Sequence, residues 1–72
     1  DKNEDAYIIE FKVYDPEKEK TLEDSVKDAL KQIKDQKYET ELIKRGILTE
    51  NIREYGFAFY GKKVLIGKKI DN

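Results

Sequence analysis

The sequence predicts an α/β (mixed α+β) domain of β-α-β-β order, a mixed three-stranded sheet with a helix packed on one face. Three observations predict it. Ala6-Tyr7-Ile8-Ile9-Glu10-Phe11-Lys12-Val13-Tyr14 is a β-branched and aromatic run. Residues 21–37 then carry apolar side chains at helical spacing, and residues 53–68 read as two β-type runs on either side of Gly61. A strand, a helix and a second strand form a parallel pair by right-handed crossover, and a closing hairpin adds an antiparallel third strand. One layer of helix covers one sheet face. The other face and one edge of the first strand are left open, so either part of a parent domain is absent or a partner covers the gap.

Residues 1–5 are polar and acidic and read as a turn or frayed end. The strand over 6–14 stops at Asp15-Pro16, because proline has no N–H for a ladder and restricts the residue before it. Side chains alternate along a strand, so Glu10 and Lys12 share one side while Ile9, Phe11 and Val13 take the other. Only the pleat separates the charged pair from the apolar flank of the helix. Glu17-Lys18-Glu19-Lys20 reads as a solvated connector, too polar to be buried.

Thr21 is the expected N-cap, with Asp24 as a capping-box partner and Glu23 near the positive end of the helix dipole. Leu22, Val26, Ala29, Leu30 and Ile33 form one apolar stripe. Gln36 falls close to that stripe and Gln32 on its shoulder, so at least one amide is expected to look toward the sheet. Helicity continues or restarts through residues 38–45 and is closed by Gly46, and Ile47 to Asn51 is a linker. In residues 53–60, Tyr55, Phe57 and Phe59 share one face and Gly56, Ala58 and Tyr60 the other, whose small middle leaves room for a packed helix or a cleft. Tyr60-Gly61-Lys62-Lys63 suits a type II′ hairpin turn into a returning strand over 63–68.

Seventy-two residues allow a single domain, 1–72, and a chain of that size buries only ~60% of the surface it exposes unfolded. No apolar run approaches the ~20 residues that span a bilayer, so no membrane partner is expected. The opening at Asp1 suggests a piece of a longer protein. There is no cysteine and no histidine, which excludes thiol chemistry, disulfides, zinc-finger ligation and imidazole catalysis within this chain and leaves carboxylates, lysines and hydroxyls. If a metal is present it is a hard, oxygen-liganded one. Absent cysteine is compatible with a cytoplasmic location. The net charge of −1 hides an asymmetry: residues 1–36 carry seven lysines against eleven carboxylates, whereas residues 37–72 carry eight basic side chains against five acidic ones. Arg53, Lys62, Lys63, Lys68 and Lys69 supply much of the basic excess. They suit contact with a polyanion, or protection of a sheet edge from aggregation.

Two readings stand for the charged pair on the first strand. Glu10 and Lys12 are a surface pair of little energetic weight on a wet edge strand. Alternatively, Glu10 is a carboxylate ligand for Mg²⁺ and Lys12 stabilises charge on an attacking water or phosphoryl group.

Three segments together, Tyr7-Ile8-Ile9-Glu10-Phe11-Lys12-Val13, Ala29-Leu30-Lys31-Gln32-Ile33-Lys34 with Lys37-Tyr38, and Tyr55-Gly56-Phe57-Ala58-Phe59-Tyr60-Gly61-Lys62-Lys63-Val64-Leu65, resemble the PD-(D/E)XK nuclease superfamily. The likeness covers nearly the whole chain and points to the C-terminal module of bacterial AAA-ATPase-like proteins. It implies a partial restriction-endonuclease-like core and an ancestral metal-dependent hydrolysis of phosphodiesters in nucleic acid. On that resemblance Glu10 and the backbone carbonyl of Phe11 face the metal, Mg²⁺ in the parent domain, Lys12 orients or activates the hydrolytic water, and Gln32 lies near the site. Tyr38 matches a family tyrosine. The family's other ligand, an aspartate, belongs to a strand upstream of this chain, and Asp1, Glu4 and Asp5 are poor substitutes because they sit in an apparent loop. The isolated chain is therefore expected to bind Mg²⁺ weakly or not at all and to be inactive. Two further readings stand beside the nuclease: a non-catalytic module, such as a homodimer, pairing through the exposed edge of strand 6–14, and a basic nucleic-acid binder using Arg53, Lys62 and Lys63.

Overall fold

The β-branched and aromatic runs are strands in the computed structural model, which describes residues 4–69. They are β1 (Ala6–Val13), β2 (Ile52–Tyr60) and β3 (Lys63–Lys68), in the sheet order β1-β2-β3. β1 runs parallel to β2, with Glu10 opposite Gly56 and Lys12 opposite Ala58. β2 and β3 are antiparallel, with Phe57 opposite Ile66 and Phe59 opposite Val64. The crossover between β1 and β2 holds the helices α1 (Leu22–Gln36) and α2 (Tyr38–Lys44) and a short 3-10 turn, Thr49–Asn51. The mixed α/β sheet expected from the sequence is the one observed.

Local chemistry sets the ends of these elements. Thr21 caps α1, its Oγ1 accepting the Asp24 N–H at 3.2 Å, and the Asp24 carboxylate accepts the Lys20 N–H at 3.3 Å. Lys37 breaks the helix by adopting the left-handed region at φ 58°, so helicity restarts at Tyr38 instead of continuing. Gly61 takes φ 61°, and Lys62 is not among the positive-φ residues, which is the pattern of a type II′ turn.

The core lies between α1 and the inner sheet face. Ile8, Val26, Ala29, Ile33, Ile47 and Ala58 are buried. A Cβ on Gly56 would lie 2.9 Å from the Val26 carbonyl oxygen and 3.0 Å from the Ala29 Cβ. The small middle of β2 therefore receives the helix and leaves no cleft there.

Four expectations are corrected. The helix covers the very face that bears Glu10 and Lys12, because that face has the small residues a helix can approach, while the bulky Ile9, Phe11, Val13, Phe57 and Phe59 point the other way. Neither Gln32 nor Gln36 looks into the sheet: both are exposed, and the stripe is completed by Ser25, which is fully buried. Residues 47–51 are more than a linker, since Ile47 joins the core and Thr49–Asn51 makes a 3-10 turn. Glu19, expected in a solvated connector, is buried. Asp1 lies outside the described residues. Among the described residues no helix is long and apolar enough to cross a membrane.

Candidate functional site

Among the described residues β1 pairs with β2 on one side only, so it presents Glu10 and Lys12 on its inner face from an edge of the sheet. Its main-chain groups alternate edges as well. The Tyr14 N–H donates to the Phe59 carbonyl at 2.7 Å, which assigns the polar backbone groups of Glu10 and Lys12 to β2 and those of Ile9, Phe11 and Val13 to the open edge. The Phe11 carbonyl is thus left outside the ladder.

Lys12 does not turn to Glu10. Its Nζ lies 2.8 Å from Glu19 Oε1 and 2.9 Å from Asp28 Oδ2, a bridge from β1 to the post-strand turn and to α1. The turn is built to deliver Glu19. The Asp15 carbonyl accepts the N–H groups of Lys18 and Glu19 at 3.0 and 2.9 Å, the Asp15 carboxylate accepts the Glu17 N–H at 2.9 Å, and Glu19 Oε2 accepts the Asp15 N–H at 2.8 Å. The segment folds back on itself through Pro16, and a polar run becomes a closed loop. Tyr14 ties its far end down by donating its hydroxyl to the Lys20 carbonyl at 3.2 Å.

These contacts explain how a carboxylate is tolerated with its side chain only 3% exposed. The Lys12 ammonium beside it holds the Glu19 carboxyl below its ordinary value, aided by the Asp15 N–H and opposed by burial. In turn the Glu19 carboxylate, then that of Asp28, holds the Lys12 ammonium above its ordinary 10.5, against a smaller desolvation effect. Lys12 is a fixed cation at neutral pH.

The remaining sequence-derived candidates fall around this centre. Gln32 is exposed and lines a shallow depression with Lys12, Asp28, Lys31 and Asp35. Glu10 is half-buried and outside that lining. Tyr38 is exposed at the start of α2. The basic side chains do not converge. Arg53 pairs with Asp5 at 3.2 Å and lies 6.0 Å from the Tyr7 ring centre, Lys69 pairs with Glu39 at 3.3 Å, and Lys62 and Lys63 sit at the hairpin.

The donor set can be tested against a divalent metal. Glu10 offers a carboxylate and Phe11 an unladdered carbonyl, two oxygens where Mg²⁺ takes about six. The two carboxylates that flank Lys12, Asp28 of α1 and Glu19 of the turn before it, are committed to that lysine. Among the described residues no three His, Cys, Asp or Glu side chains gather as a metal cage. The residues present do not make an Mg²⁺ site by themselves.

Sequence reasoning missed Glu19, Asp28 and Ser25. Asp28 falls outside the apolar stripe of α1 and Glu19 within the polar connector, and neither position by itself points to Lys12. The one available signal was Asp15-Pro16, which demands a turn just where Lys12 needs a counter-charge. Also missed was a second cluster at the other end of β2, where Glu54 is buried on the inner face and meets Glu39 of α2, with Lys69 3.6 Å from Glu54. Burial, then a shared hydrogen bond with Glu39, pushes the Glu54 carboxyl up, and accepting that bond holds Glu39 down.

No curated protein and no solved structure is similar enough to this chain to match. A family model does match. It is that of the PD-(D/E)XK nuclease superfamily, a group of generally divalent-metal-dependent enzymes, and it covers residues 1–69, nearly the whole of the sequence. With a Glu-x-Lys strand, the helix behind it and the closing hairpin all in place, the chain belongs to the PD-(D/E)XK nuclease superfamily.

Proposed function

We propose that this chain carries one half of a phosphodiester-hydrolysing site, with Glu10 and the Phe11 carbonyl as its oxygen donors, Lys12 as its cation and Gln32 at its rim. The observation that carries this reading is the clamp on Lys12. A lysine whose ammonium is held by Glu19 and Asp28 is a poor proton acceptor at neutral pH and a good fixed positive charge. Its role is to attract a phosphate oxygen or steady a hydroxide, and a different group takes the proton from water. Nucleic acid, DNA in particular, is the substrate class, and Mg²⁺ is the metal of the completed site.

The half-site is supported as part of a larger protein. The resemblance in the three segments favours a bacterial, cytoplasmic AAA-ATPase-like parent whose upstream strand adds an aspartate. The isolated chain does not cut, since two protein oxygens leave Mg²⁺ without a cage. Incubating supercoiled plasmid with the chain and Mg²⁺ or Mn²⁺ tests this. The expected result is no nicking above that of Glu10→Ala, and nicking that Glu10→Ala abolishes would overturn the half-site reading.

A second reading, a non-catalytic interaction module, is favoured by the open edge of β1, whose backbone groups at Ile9, Phe11 and Val13 are available to a further strand.

A further inference from the structure

The clamp that fixes Lys12 also neutralises it. Its ammonium has three N–H donors but one charge, and it stands between two carboxylates, Glu19 Oε1 at 2.8 Å and Asp28 Oδ2 at 2.9 Å. So placed, it has no positive charge to spare for a phosphate oxygen. One of the two carboxylates must yield before Lys12 can meet a substrate.

The two are held very differently. The Glu19 side chain is 3% exposed, its second oxygen accepts the Asp15 N–H at 2.8 Å, and its turn is closed by the N–H groups of Lys18 and Glu19 on the Asp15 carbonyl. Parting Glu19 from Lys12 leaves a buried carboxylate without its cation, which is costly. The Asp28 side chain is 51% exposed, and water replaces the ammonium there at little cost. Glu19 also comes before Asp28 in holding the Lys12 ammonium above its ordinary value. Glu19 is the anchor, and Asp28 is the contact that gives way.

We propose that Asp28 gates the hydrolytic site: its carboxylate occupies the place on Lys12 that a substrate phosphate oxygen takes, and the phosphate enters by displacing it. This rests on the role proposed above for Lys12. Asp28, Lys31, Gln32 and Asp35 recur at intervals of three and four on α1, and with Lys12 they line one shallow depression. With Asp28 turned to water, an anion in that depression meets the Lys12 and Lys31 ammoniums and the Gln32 amide. With Asp28 in place, the same two ammoniums face the carboxylates of Glu19, Asp28 and Asp35, and the excess negative charge turns a free anion away. The gate thus favours a phosphate that neighbouring contacts already hold, one within a nucleic-acid strand, over a phosphate that arrives alone.

Titration of the full 72-residue chain with inorganic phosphate tests it, followed by NMR at the Lys12 and Lys31 side-chain signals with ionic strength held constant by chloride. Asp28→Asn is compared with wild type and with Asp35→Asn, which removes the same charge from the same depression but leaves the bonds to Lys12 intact. Asp28→Asn is expected to bind phosphate at least about fivefold more tightly than wild type, the gain from removing one like charge about 4 Å away in water. The Lys12 signals should move as it binds, and Asp35→Asn should gain less. Equal affinity in wild type and Asp28→Asn overturns the gate, and so does the absence of binding in both. A gain matched by Asp35→Asn, or one that leaves the Lys12 signals still, overturns it as well. Circular dichroism checks the fold, and if Asp28→Asn disturbs it, Asp28→Ala takes its place under the same criteria. None of these results requires hydrolysis: nicking by the isolated chain would overturn the half-site and leave a phosphate gain standing, whereas a failed gain leaves the half-site as it is.

Discussion

Gly56 of β2 and Ala29 of α1 meet so closely that a Cβ on the glycine would lie 3.0 Å from that of the alanine. This close approach seats α1 on the sheet. It also carries the residue before Ala29, Asp28, to within 2.9 Å of Lys12.

Gly56→Ala should therefore act on both packing and charge. The added methyl meets the Val26 carbonyl at 2.9 Å, a backbone atom that cannot swing aside. A loss of about 1–3 kcal/mol is expected from overpacking, read as a lower urea midpoint with an unchanged slope. A midpoint equal to wild type would show that α1 sits more loosely than described.

Glu54 makes stability depend on pH in a stated direction. Its carboxyl is raised above its ordinary 4.5, so the folded chain holds this proton more tightly than the unfolded chain does. Stability then falls as pH climbs from 4.5 through the folded value. Glu39 is lowered, and its contribution is present above 4.5 and lost as pH falls below it. Glu54→Gln keeps a donor for Glu39 without a titrating proton. Urea midpoints across about pH 4–9 should lose the alkaline-side decline in this variant, and an unchanged decline would assign it to another group.

The cap at Thr21 should carry its usual weight. Thr21→Ala removes the acceptor of the Asp24 N–H and should cost about 1 kcal/mol. Thr21→Asp should recover most of it, and thermal melts of the two variants check the order.

Strand and helix periods were legible because each is a local pattern. The run at β1, the stripe from Leu22 to Ile33, the Thr21 cap and the Gly61 turn all follow from neighbours within a few residues. Which sheet face the helix covers was legible on β2, whose small middle at Gly56 and Ala58 left room for it, but not on β1. Glu10 and Lys12 read as the wet side and Phe11 as the dry one, yet the fit of α1 against Gly56 outweighed their polarity, and the Lys12 ammonium is met there by Asp28 of α1 and by Glu19. Glu19 was illegible for a related reason: its burial depends on a lysine seven positions earlier being folded back over it. The match over residues 1–69 shows the nuclease superfamily, whereas the metal-site reading of Glu10 and Lys12 was one of two that the residues alone allowed. No pattern in the chain announces the Glu39–Glu54 contact, made between helix and strand fifteen residues apart.

The most direct test of Lys12 as a held cation is its own titration, followed by NMR at the side-chain Cε and Nζ signals. A midpoint above the ordinary 10.5 is predicted, moving down in Glu19→Gln and to a smaller extent in Asp28→Asn. The stability this lysine contributes should be complete below its unfolded value and lost as pH rises through the folded one. A midpoint at or below 10.5 in the folded chain, or one indifferent to Glu19→Gln, would contradict the clamp and with it the assigned role of Lys12.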